Sequence, residues 1–509
     1  MGRWPWDMCP EACSFTNSEV SPLQDPVQKL EMRHKDQPMP PDSRSHRQLV
    51  VINVVGLTYD MIGDNTPNIQ SVLENGFARP MQTVLPAVTC SVQASLLTGL
   101  MPAEHGIVGN GWYFRDLAEV MFWKQSNHLI SGAKVFQTAR QRDTAHTTAK
   151  MFWWYNMYAD VDWSVTPRPS YPADGRKIPD SYSEPPELRD HLQDRLGRFP
   201  LFNFWGPTAD IKSTTWIADA SLEVLQEHDP SLLLVYLPHL DYNLQRLGPN
   251  HPTIAQDVRA VDAEAGKLID AARQRDADVV VLSEYGITEV SKPIHINRVL
   301  REHGLLRART EPLGWETMDC GASRAFAVAD HQVAHIYVKR ADDIETVRRI
   351  LSGIDGVESI FDRSQQVDVG LAHDRSGDLV AVSSADAWYT YYFWNDDRLA
   401  PDYARTVDIH RKPGYDPAEL LLDPTIRLPK LKVARRLARK TLGFRYYMDL
   451  IGLDATIVKG SHGRLPAADR LEADGPVFVC SAKRVERDGI HACDVRNLIL
   501  DLQFGTSSG

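Results

Sequence analysis

Short apolar runs alternate with longer segments of helical periodicity along the first 300 positions. Residues 49–55 (LVVINVV), 232–237 (LLLVYL) and 279–282 (VVVL) are continuous and rich in β-branched or aliphatic side chains, which is typical of strands buried on both faces. Between the last two runs, residues 254–273 carry apolar positions at helical spacing. Strands that alternate with helices predict an α/β fold with a mostly parallel sheet flanked by helices.

Residues that could take part in binding or catalysis follow these predicted strands. Gly56 ends the first strand, Thr89 follows the second, Asp241 follows residues 232–237, and Glu284 follows residues 279–282. Ligands of parallel α/β sheets bind at the carboxyl ends of the strands. We therefore expect a functional site at this edge of the sheet.

The pattern changes after about residue 292. Apolar segments at 325–328, 333–338 and 357–361, with a helical segment at 344–351, predict a small β-β-α-β unit. We interpret this part as an inserted α+β cap or second lobe. The predicted organisation is a flexible leader at 1–46, an α/β core at 47–296, the insert at 297–420, a basic helix with a return to the core at 421–500, and a flexible tail at 501–509.

Charge and composition exclude some classes of protein. The 509-residue chain has a formal net charge of −11, which argues against a general binder of nucleic acid polymers. No apolar run approaches the length of a membrane span. The N-terminus lacks the charged-then-apolar order of a signal peptide, and the six cysteines are widely scattered, so we predict a cytoplasmic protein.

One segment of the chain is strongly basic. Residues 430–445 (KLKVARRLARKTLGFR) predict a helix whose apolar positions are consistent with one face. A solvated surface helix is the default interpretation. Peripheral contact with a membrane is the minority alternative, because it requires that the apolar face be exposed.

The most informative segment is 81–110, MQTVLPAVTCSVQASLLTGLMPAEHGIVGN. A strand-like start leads through a proline to Thr89, a helical run and the tag HGIV at 105–108. A hydroxyl at the start of a helix meets the positive end of the helix dipole and free backbone N–H groups, which suits a phosphate held against a nucleophile. A simple N-cap role would also explain Thr89.

The whole string resembles the alkaline phosphatase superfamily, and within it the nucleotide pyrophosphatase/type I phosphodiesterase branch. The residues that carry this resemblance are Thr89, the turn LTGL at 97–100, the HGIV tag with Asn110, and the motif GSHG at 460–463. The resemblance implies an alkaline-phosphatase-like fold with Thr89 as nucleophile and the Asn110 amide binding a phosphate oxygen. It also implies two divalent metal ions held by residues at the strand ends.

The chain keeps only part of the metal-ligand set that the resemblance implies. Asp241 and His462 are retained. The replaced positions are Val55 (Asp in the family), Gln245 (His), Glu284 (Asp) and Tyr285 (His). Valine cannot bind a metal and glutamine is a weak zinc ligand, whereas Glu284 could still ligate.

Other side chains could complete a metal site. His239 would share a strand face with Asp241 if the strand continued past residue 237. The string Asp330-His331 with His335 is a further candidate, although a buried or hydrogen-bonding structural role is the default interpretation of each histidine. We predict a divalent ion, Zn²⁺ or the harder Mg²⁺ or Mn²⁺, bound by Asp241, His462, Glu284, Gln245 and His239. The number of ions is left open, and a site without metal is the alternative.

These features predict a phosphate-ester hydrolase that acts on a diester or pyrophosphate rather than a monoester. Aromatic clusters at 152–158 and 202–205 could stack a nucleobase, so the predicted partner is a phosphorylated, nucleotide-like small molecule; core packing explains these clusters equally well. The substituted ligands support an alternative of another class, a weakened or inactive relative that binds a ligand or partner. A membrane-surface accessory protein is the third.

Overall fold

A computed structural model of the chain describes residues 45–173, 176–444 and 446–505. Residues 1–44, which make up nearly all of the predicted leader, and residues 506–509 of the predicted tail lie outside the described residues. Residues 501–504 of that tail belong to the helix Val495–Phe504, so this part of the predicted flexible tail is helical.

The strands, in chain order, are β1 (Leu49–Val54), β2 (Phe77–Gln82), β3 (Gly111–Phe114), β4 (Glu119–Phe122), β5 (Thr148–Met151), β6 (Trp163–Pro167), β7 (Ser181–Glu184), β8 (Leu232–Leu237), β9 (Asp278–Leu282), β10 (Thr288–Glu289), β11 (Lys292–Ile294), β12 (Ala308–Thr310), β13 (Glu316–Met318), β14 (Ala325–Asp330), β15 (Val333–Val338), β16 (Val357–Phe361), β17 (Leu379–Ser383), β18 (Ala387–Tyr389), β19 (Gly460–Ser461), β20 (Val477–Cys480) and β21 (Ile490–His491).

The α-helices are α1 (Pro67–Ser71), α2 (Thr89–Thr98), α3 (Pro102–His105), α4 (Val135–Arg142), α5 (Pro186–Leu196), α6 (Leu201–Phe204), α7 (Ile211–His228), α8 (His239–Leu247), α9 (Ile254–Arg273), α10 (Ile296–Glu302), α11 (Ile344–Ser352), α12 (Arg363–Asp368), α13 (Pro429–Thr441), α14 (Leu471–Asp474) and α15 (Val495–Phe504). None of the helices in the described ranges combines the length and the apolar character that a membrane crossing would need.

The central sheet has nine strands in the order β21-β2-β20-β9-β1-β8-β5-β6-β7. Its middle is parallel: Leu49 of β1 lies opposite Leu232 of β8 on one side and Asp278 of β9 on the other. Towards the two edges, β7 and β20 run antiparallel to their inner neighbours. The prediction of a mostly parallel sheet is therefore confirmed.

Helices cover this sheet and explain its apolar strands. Helices α7, α8 and α9 pack on one another and on the middle strands, whereas α2, α4 and α15 form a second group that also reaches β1. Every residue of β1, β8 and β9 is buried, as expected of parallel strands covered on both faces. The carboxyl ends of these strands carry the candidate site.

A second, antiparallel sheet lies within the segment that was predicted to be an insert. Its order is β14-β15-β17-β16, with α11 and α12 in the same segment. The β-β-α-β prediction omitted β17, whose sequence LVAVS is short and follows a loop. Strand β18 pairs with β11, so the aromatic segment after β17 joins the insert to the end of the core.

A buried ion-pair cluster holds the end of the insert. The Lys412 ammonium lies 2.7 Å from the Asp416 carboxylate and 2.6 Å from that of Glu419, and all three side chains are at most 2% exposed. Burial costs each charge its hydration, which only the partners offset. The cluster thereby fixes the turn that carries Tyr415.

Removal of this lysine should leave two buried carboxylates unpaired. We expect Lys412→Met to lower the free energy of unfolding by about 3–5 kcal/mol, measured by urea denaturation at pH 7. The matched control is Lys212→Met, because the Lys212 side chain is 71% exposed and its ion pair with Asp210 is 3.5 Å long. The control should change stability by less than about 0.5 kcal/mol, and equal effects of the two variants would contradict the assignment.

Candidate functional site

Thr89 is the first residue of α2, directly after the extended residue Val88. Its hydroxyl makes no capping bond to the helix backbone and instead lies 3.1 Å from the Tyr285 hydroxyl. Every residue of α2 is buried, and Thr89 itself is only 4% exposed. The geometry therefore does not support the N-cap interpretation and directs the Thr89 oxygen towards the strand ends.

A chain of hydrogen bonds runs from Thr89 across the site. The Tyr285 hydroxyl donates to Asp241 Oδ1 at 3.3 Å, and Gln245 Nε2 donates to Asp241 Oδ2 at 2.7 Å. The Tyr415 hydroxyl donates to Gln245 Oε1 at 2.8 Å. The candidate nucleophile is thus connected through one phenol to a buried carboxyl group.

The rings of His462 and His331 form a wall along one side of these hydrogen-bonded residues. His462 stacks on Tyr285 with ring centroids 3.5 Å apart, and His331 lies 3.8 Å from His462 on the other side. His462 Nδ1 lies 2.8 Å from the Ala87 carbonyl oxygen, and its Nε2 lies 4.0 Å from Asp241 Oδ1. Burial lowers the pKa of both histidines well below the ordinary value, so both imidazoles are neutral at pH 7.

The insert places Asp330 at the start of α2. Asp330 Oδ2 accepts the Asn110 backbone N–H at 2.7 Å, and Oδ1 accepts the Asn110 side-chain amide at 3.1 Å. Asn110 Oδ1 in turn accepts the Cys90 backbone N–H at 3.0 Å. Asp330 also lies 2.8 Å from His331 Nδ1. The sequence suggested Asp330 and His331 as metal ligands. In the structure, Asp330 instead orients Asn110 and the His331 ring.

Glu284 lies beneath Thr89 in a set of amides that sequence reasoning missed. Glu284 Oε1 accepts hydrogen bonds from Asn53 Nδ2 at 2.6 Å and Gln93 Nε2 at 2.5 Å. Its Oε2 is buried and has no hydrogen-bond partner within the described ranges. Burial raises the pKa of Glu284 to about 8 and that of Asp241 to about 7, and hydrogen bonds offset only part of this shift. The one available signal for Asn53 was its position as a polar residue inside an apolar strand.

The family's pair of metal ions does not fit these residues. Val55 offers no ligand atom, and the Tyr285 hydroxyl occupies the space between the Thr89 hydroxyl and the Asp241 carboxyl group. Asp241 and His462 are two ligand-type side chains in reach of each other, and Gln245 turns its nitrogen towards Asp241. Two good ligands are fewer than the roughly three protein ligands that a catalytic zinc site uses.

Elsewhere in the described ranges, three His, Cys, Asp or Glu ligand atoms come within 4.8 Å of one another only at His191, Glu223 and Glu227. These residues lie on α5 and α7 and are half-buried or exposed. They are far in sequence from the residues of the site, and Glu223 is already paired with Arg195 at 2.6 Å.

The expectation that His239 shares a strand face with Asp241 is wrong. The strand ends at residue 237 and the chain turns into α8, which begins at His239. An α-helix turns by about 100° per residue, so side chains two positions apart point to nearly opposite sides. His239 Nε2 lies 3.3 Å from Asp257 Oδ1 instead.

The aromatic cluster at 152–155 is part of the core. Phe152, Trp153, Trp154 and Tyr155 are each at most 8% exposed. Trp154 packs on Trp123 with ring centroids 4.7 Å apart. These four side chains are therefore core residues, as the packing interpretation predicted, and none of them presents an open face on which a base could stack.

Comparison with known proteins agrees with this architecture. The family model of type I phosphodiesterase/nucleotide pyrophosphatase matches residues 49–416. An uncharacterized pyrophosphatase/phosphodiesterase of Schizosaccharomyces pombe is 25% identical over 252 residues. This match covers 48% of the chain and 45% of the relative, so it spans less than half the length of that protein.

Similar solved structures share the fold at low identity. Murine ectonucleotide pyrophosphatase/phosphodiesterase 5 has a TM-score of 0.52 and 16% identity, over 90% of this chain and 95% of that chain. An inactive variant of the same murine protein, in complex with AMP, has a TM-score of 0.52 and 15% identity, over 90% of this chain and 94% of that chain. Phosphonoacetate hydrolase from Sinorhizobium meliloti 1021, in complex with phosphonoformate, has a TM-score of 0.57 and 16% identity, over 90% of this chain and 95% of that chain.

The raised pKa of Glu284 predicts how stability depends on pH. The folded state keeps a proton up to a pKa of about 8 that the unfolded chain releases near its ordinary value. The contribution of this group is therefore full at low pH and is lost as the pH rises through about 8. Glu284→Gln cannot ionise, so we expect its stability relative to the parent protein to rise by about 1–3 kcal/mol between pH 5 and pH 9.

Urea unfolding at the two pH values, with EDTA present, measures this difference. Glu187→Gln is the control, because Glu187 is exposed on α5. Its difference from the parent should stay constant within about 0.5 kcal/mol. A Glu284→Gln difference that stays flat or falls between pH 5 and pH 9 would show that the carboxyl group is ionised in the folded protein.

Proposed function

Because the chain belongs to the type I phosphodiesterase/nucleotide pyrophosphatase family, we propose that it hydrolyses a phosphate ester with Thr89 as nucleophile. One observation carries this proposal: the Thr89 hydroxyl contacts Tyr285, which donates to Asp241. A threonine hydroxyl is a poor nucleophile until a neighbouring group accepts its proton. The Tyr285–Asp241 pair is the group that can do so here.

In the proposed reaction, the Thr89 oxygen attacks phosphorus and the bond from phosphorus to the leaving alcohol breaks. As the new bond forms, the Thr89 proton moves to the Tyr285 oxygen, and the Tyr285 proton moves to the ionised Asp241 carboxylate. The leaving oxygen takes a proton from water. The hydroxide left from that water then attacks phosphorus, the bond from phosphorus to the Thr89 oxygen breaks, and the Tyr285–Asp241 chain returns its proton to the Thr89 oxygen.

Asn110 and the first turn of α2 are the proposed binding site for the phosphoryl oxygens. The Asn110 amide is held by Asp330 and by the Cys90 N–H, so it is oriented before any ligand arrives. An amide nitrogen carries two hydrogens, which leaves one for a phosphoryl oxygen. Donors fixed in this way stabilise developing negative charge more than mobile ones do.

The charges around Thr89 favour a substrate with few negative charges. Among the described residues, the side-chain partners of Thr89, Asn110, Asp241 and Glu284 are amides, hydroxyls, carboxyls and an imidazole, with no lysine or arginine. A phosphodiester carries one negative charge, whereas a monoester carries up to two, and each costs energy when buried without a cation. A diester of a small molecule is therefore the proposed substrate. The AMP bound to the murine neighbour supports a nucleotide-like one.

A second candidate is a family member that binds a phosphorylated molecule without cleaving it. The observation that favours it is the cover over the nucleophile, since Thr89 is 4% exposed and contacts Tyr285, a residue that stands where the family has a histidine ligand. This candidate predicts that a nucleotide such as AMP binds in calorimetry while no substrate turns over.

Substitution at the two hydroxyls distinguishes the candidates. With bis-p-nitrophenyl phosphate as substrate, we expect Thr89→Ala to lower kcat/KM at least about 1000-fold, because it removes the nucleophile. Tyr285→Phe should lower it about 100-fold, since only the proton acceptor is lost. Release of p-nitrophenolate measures both rates.

Tyr389→Phe is the matched control for the tyrosine variant. Tyr389 is a buried tyrosine of β18 whose hydroxyl has no hydrogen-bond partner among the residues that the structure describes, and its replacement should leave the rate within about twofold of the parent value. Turnover that persists in Thr89→Ala would refute the nucleophile assignment. Absence of turnover in the parent protein, with AMP still bound, would favour the binding protein.

Metal removal tests whether the Tyr285–Asp241 chain replaces the family's ions. After dialysis against EDTA, we expect the hydrolysis rate to change by less than about twofold, because proton transfer uses side chains alone. Metal content is measured on the same samples by mass spectrometry. A loss of activity that Zn²⁺, Mg²⁺ or Mn²⁺ restores would instead support one ion at Asp241, His462 and Gln245.

A further inference from the structure

Helix α13 (Pro429–Thr441) has no buried residue. Helices in folded proteins are normally stabilised by packing an apolar face against the core. Within the described part of the chain, the apolar side chains of this helix therefore lack such a core contact. An ordered helix with exposed apolar residues is a candidate interaction surface.

One side of α13 is attached to the protein by charge. Lys432 Nζ lies 3.1 Å from Asp449 Oδ2, and Arg436 donates to Asp449 Oδ1 at 2.9 Å. These two residues are four apart and lie on the same side of the helix. The opposite side is therefore directed outward.

Leucines are exposed on and beside the rest of the helix. Leu428, Leu431 and Leu442 are 65%, 63% and 72% exposed. Leu431 and Leu442 are 11 positions apart and lie within about 20° of each other around the helix axis, so they form one stripe, and Leu428 comes directly before the first turn. Phe444 follows the helix and is 60% exposed. We call residues 428–444 the α13 surface.

Basic residues accompany the stripe. The α13 surface contains six lysines and arginines and no acidic residue, although the whole chain has a net charge of −11. Long basic side chains can lay their apolar stems beside leucines while their charges reach the level of lipid headgroups. Exposed leucines beside concentrated positive charge are the pattern of a helix that lies in the plane of an anionic membrane.

We propose that the α13 surface docks on membranes that contain anionic phospholipids, with Leu431 and Leu442 inserted below the headgroups. Charge complementarity selects this occupant over a second copy of the chain. A two-fold contact between copies would place the same cations against each other, which is repulsive. A nucleic acid would use the cations but would leave the leucine stripe exposed.

Flotation of the full-length protein with lipid vesicles tests the proposal. With vesicles that contain about 30 mol% phosphatidylserine in about 0.1 M salt, we expect binding, and with pure phosphatidylcholine vesicles none. The double variants Leu431→Ser/Leu442→Ser and Lys430→Gln/Arg435→Gln should each weaken binding at least about tenfold. The control Leu313→Ser, at a leucine that is 79% exposed elsewhere, should bind like the parent.

Each remaining outcome would overturn the proposal. Absence of binding to anionic vesicles would do so directly. Loss of binding in the charge variant but not in the leucine variant would show a non-specific polyanion contact. A parent dimer that the leucine variant converts to a monomer in light scattering would assign the surface to self-association. All variants are exposed-site changes, and unchanged melting temperatures confirm that they fold.

Discussion

The contacts of the Tyr285 hydroxyl with Thr89 and Asp241 govern the chemistry of the whole site. These contacts place a phenol between a hydroxyl and a carboxyl group that are both buried. Stacking on His462 fixes the plane of the tyrosine ring, so its hydroxyl has little freedom to turn away. Because the ring is held from the side and its oxygen from both ends, proton transfer along the chain would need no rearrangement of side chains.

The insert completes the site that the sheet begins. The core supplies Thr89 from α2, Asp241 from the first turn of α8 and Glu284 from the residues after β9. In the insert, Asp330 ends β14, His331 follows it, and Tyr415 comes from the segment held by Lys412. The two backbone segments of the insert therefore reach the site at different points. Loosening either should disturb the alignment of Asn110 or Gln245 while leaving the sheet intact.

Local patterns predicted the parts of the fold that depend on local rules. The sheet centre and the helix Ile254–Arg273 were predictable because burial on both faces and helical spacing leave clear marks in the sequence. His239 was misplaced because a turn one residue after a strand changes which side chains share a face. The contact of Tyr285 with Thr89 joins residues 196 positions apart, and no periodicity encodes such a distance.

The same substitutions that remove the metal ligands also adjust the charge of the site. Burial raises the pKa of Asp241 to about 7 and that of Glu284 to about 8, so both carboxyl groups hold a proton more readily than ordinary ones. The amides of Asn53 and Gln93 both donate to Glu284 Oε1, and these hydrogen bonds offset part of the rise in its pKa. A phenol in place of a histidine and neutral amides around a carboxyl group therefore form one consistent arrangement, in which hydrogen bonds replace charge–charge attraction.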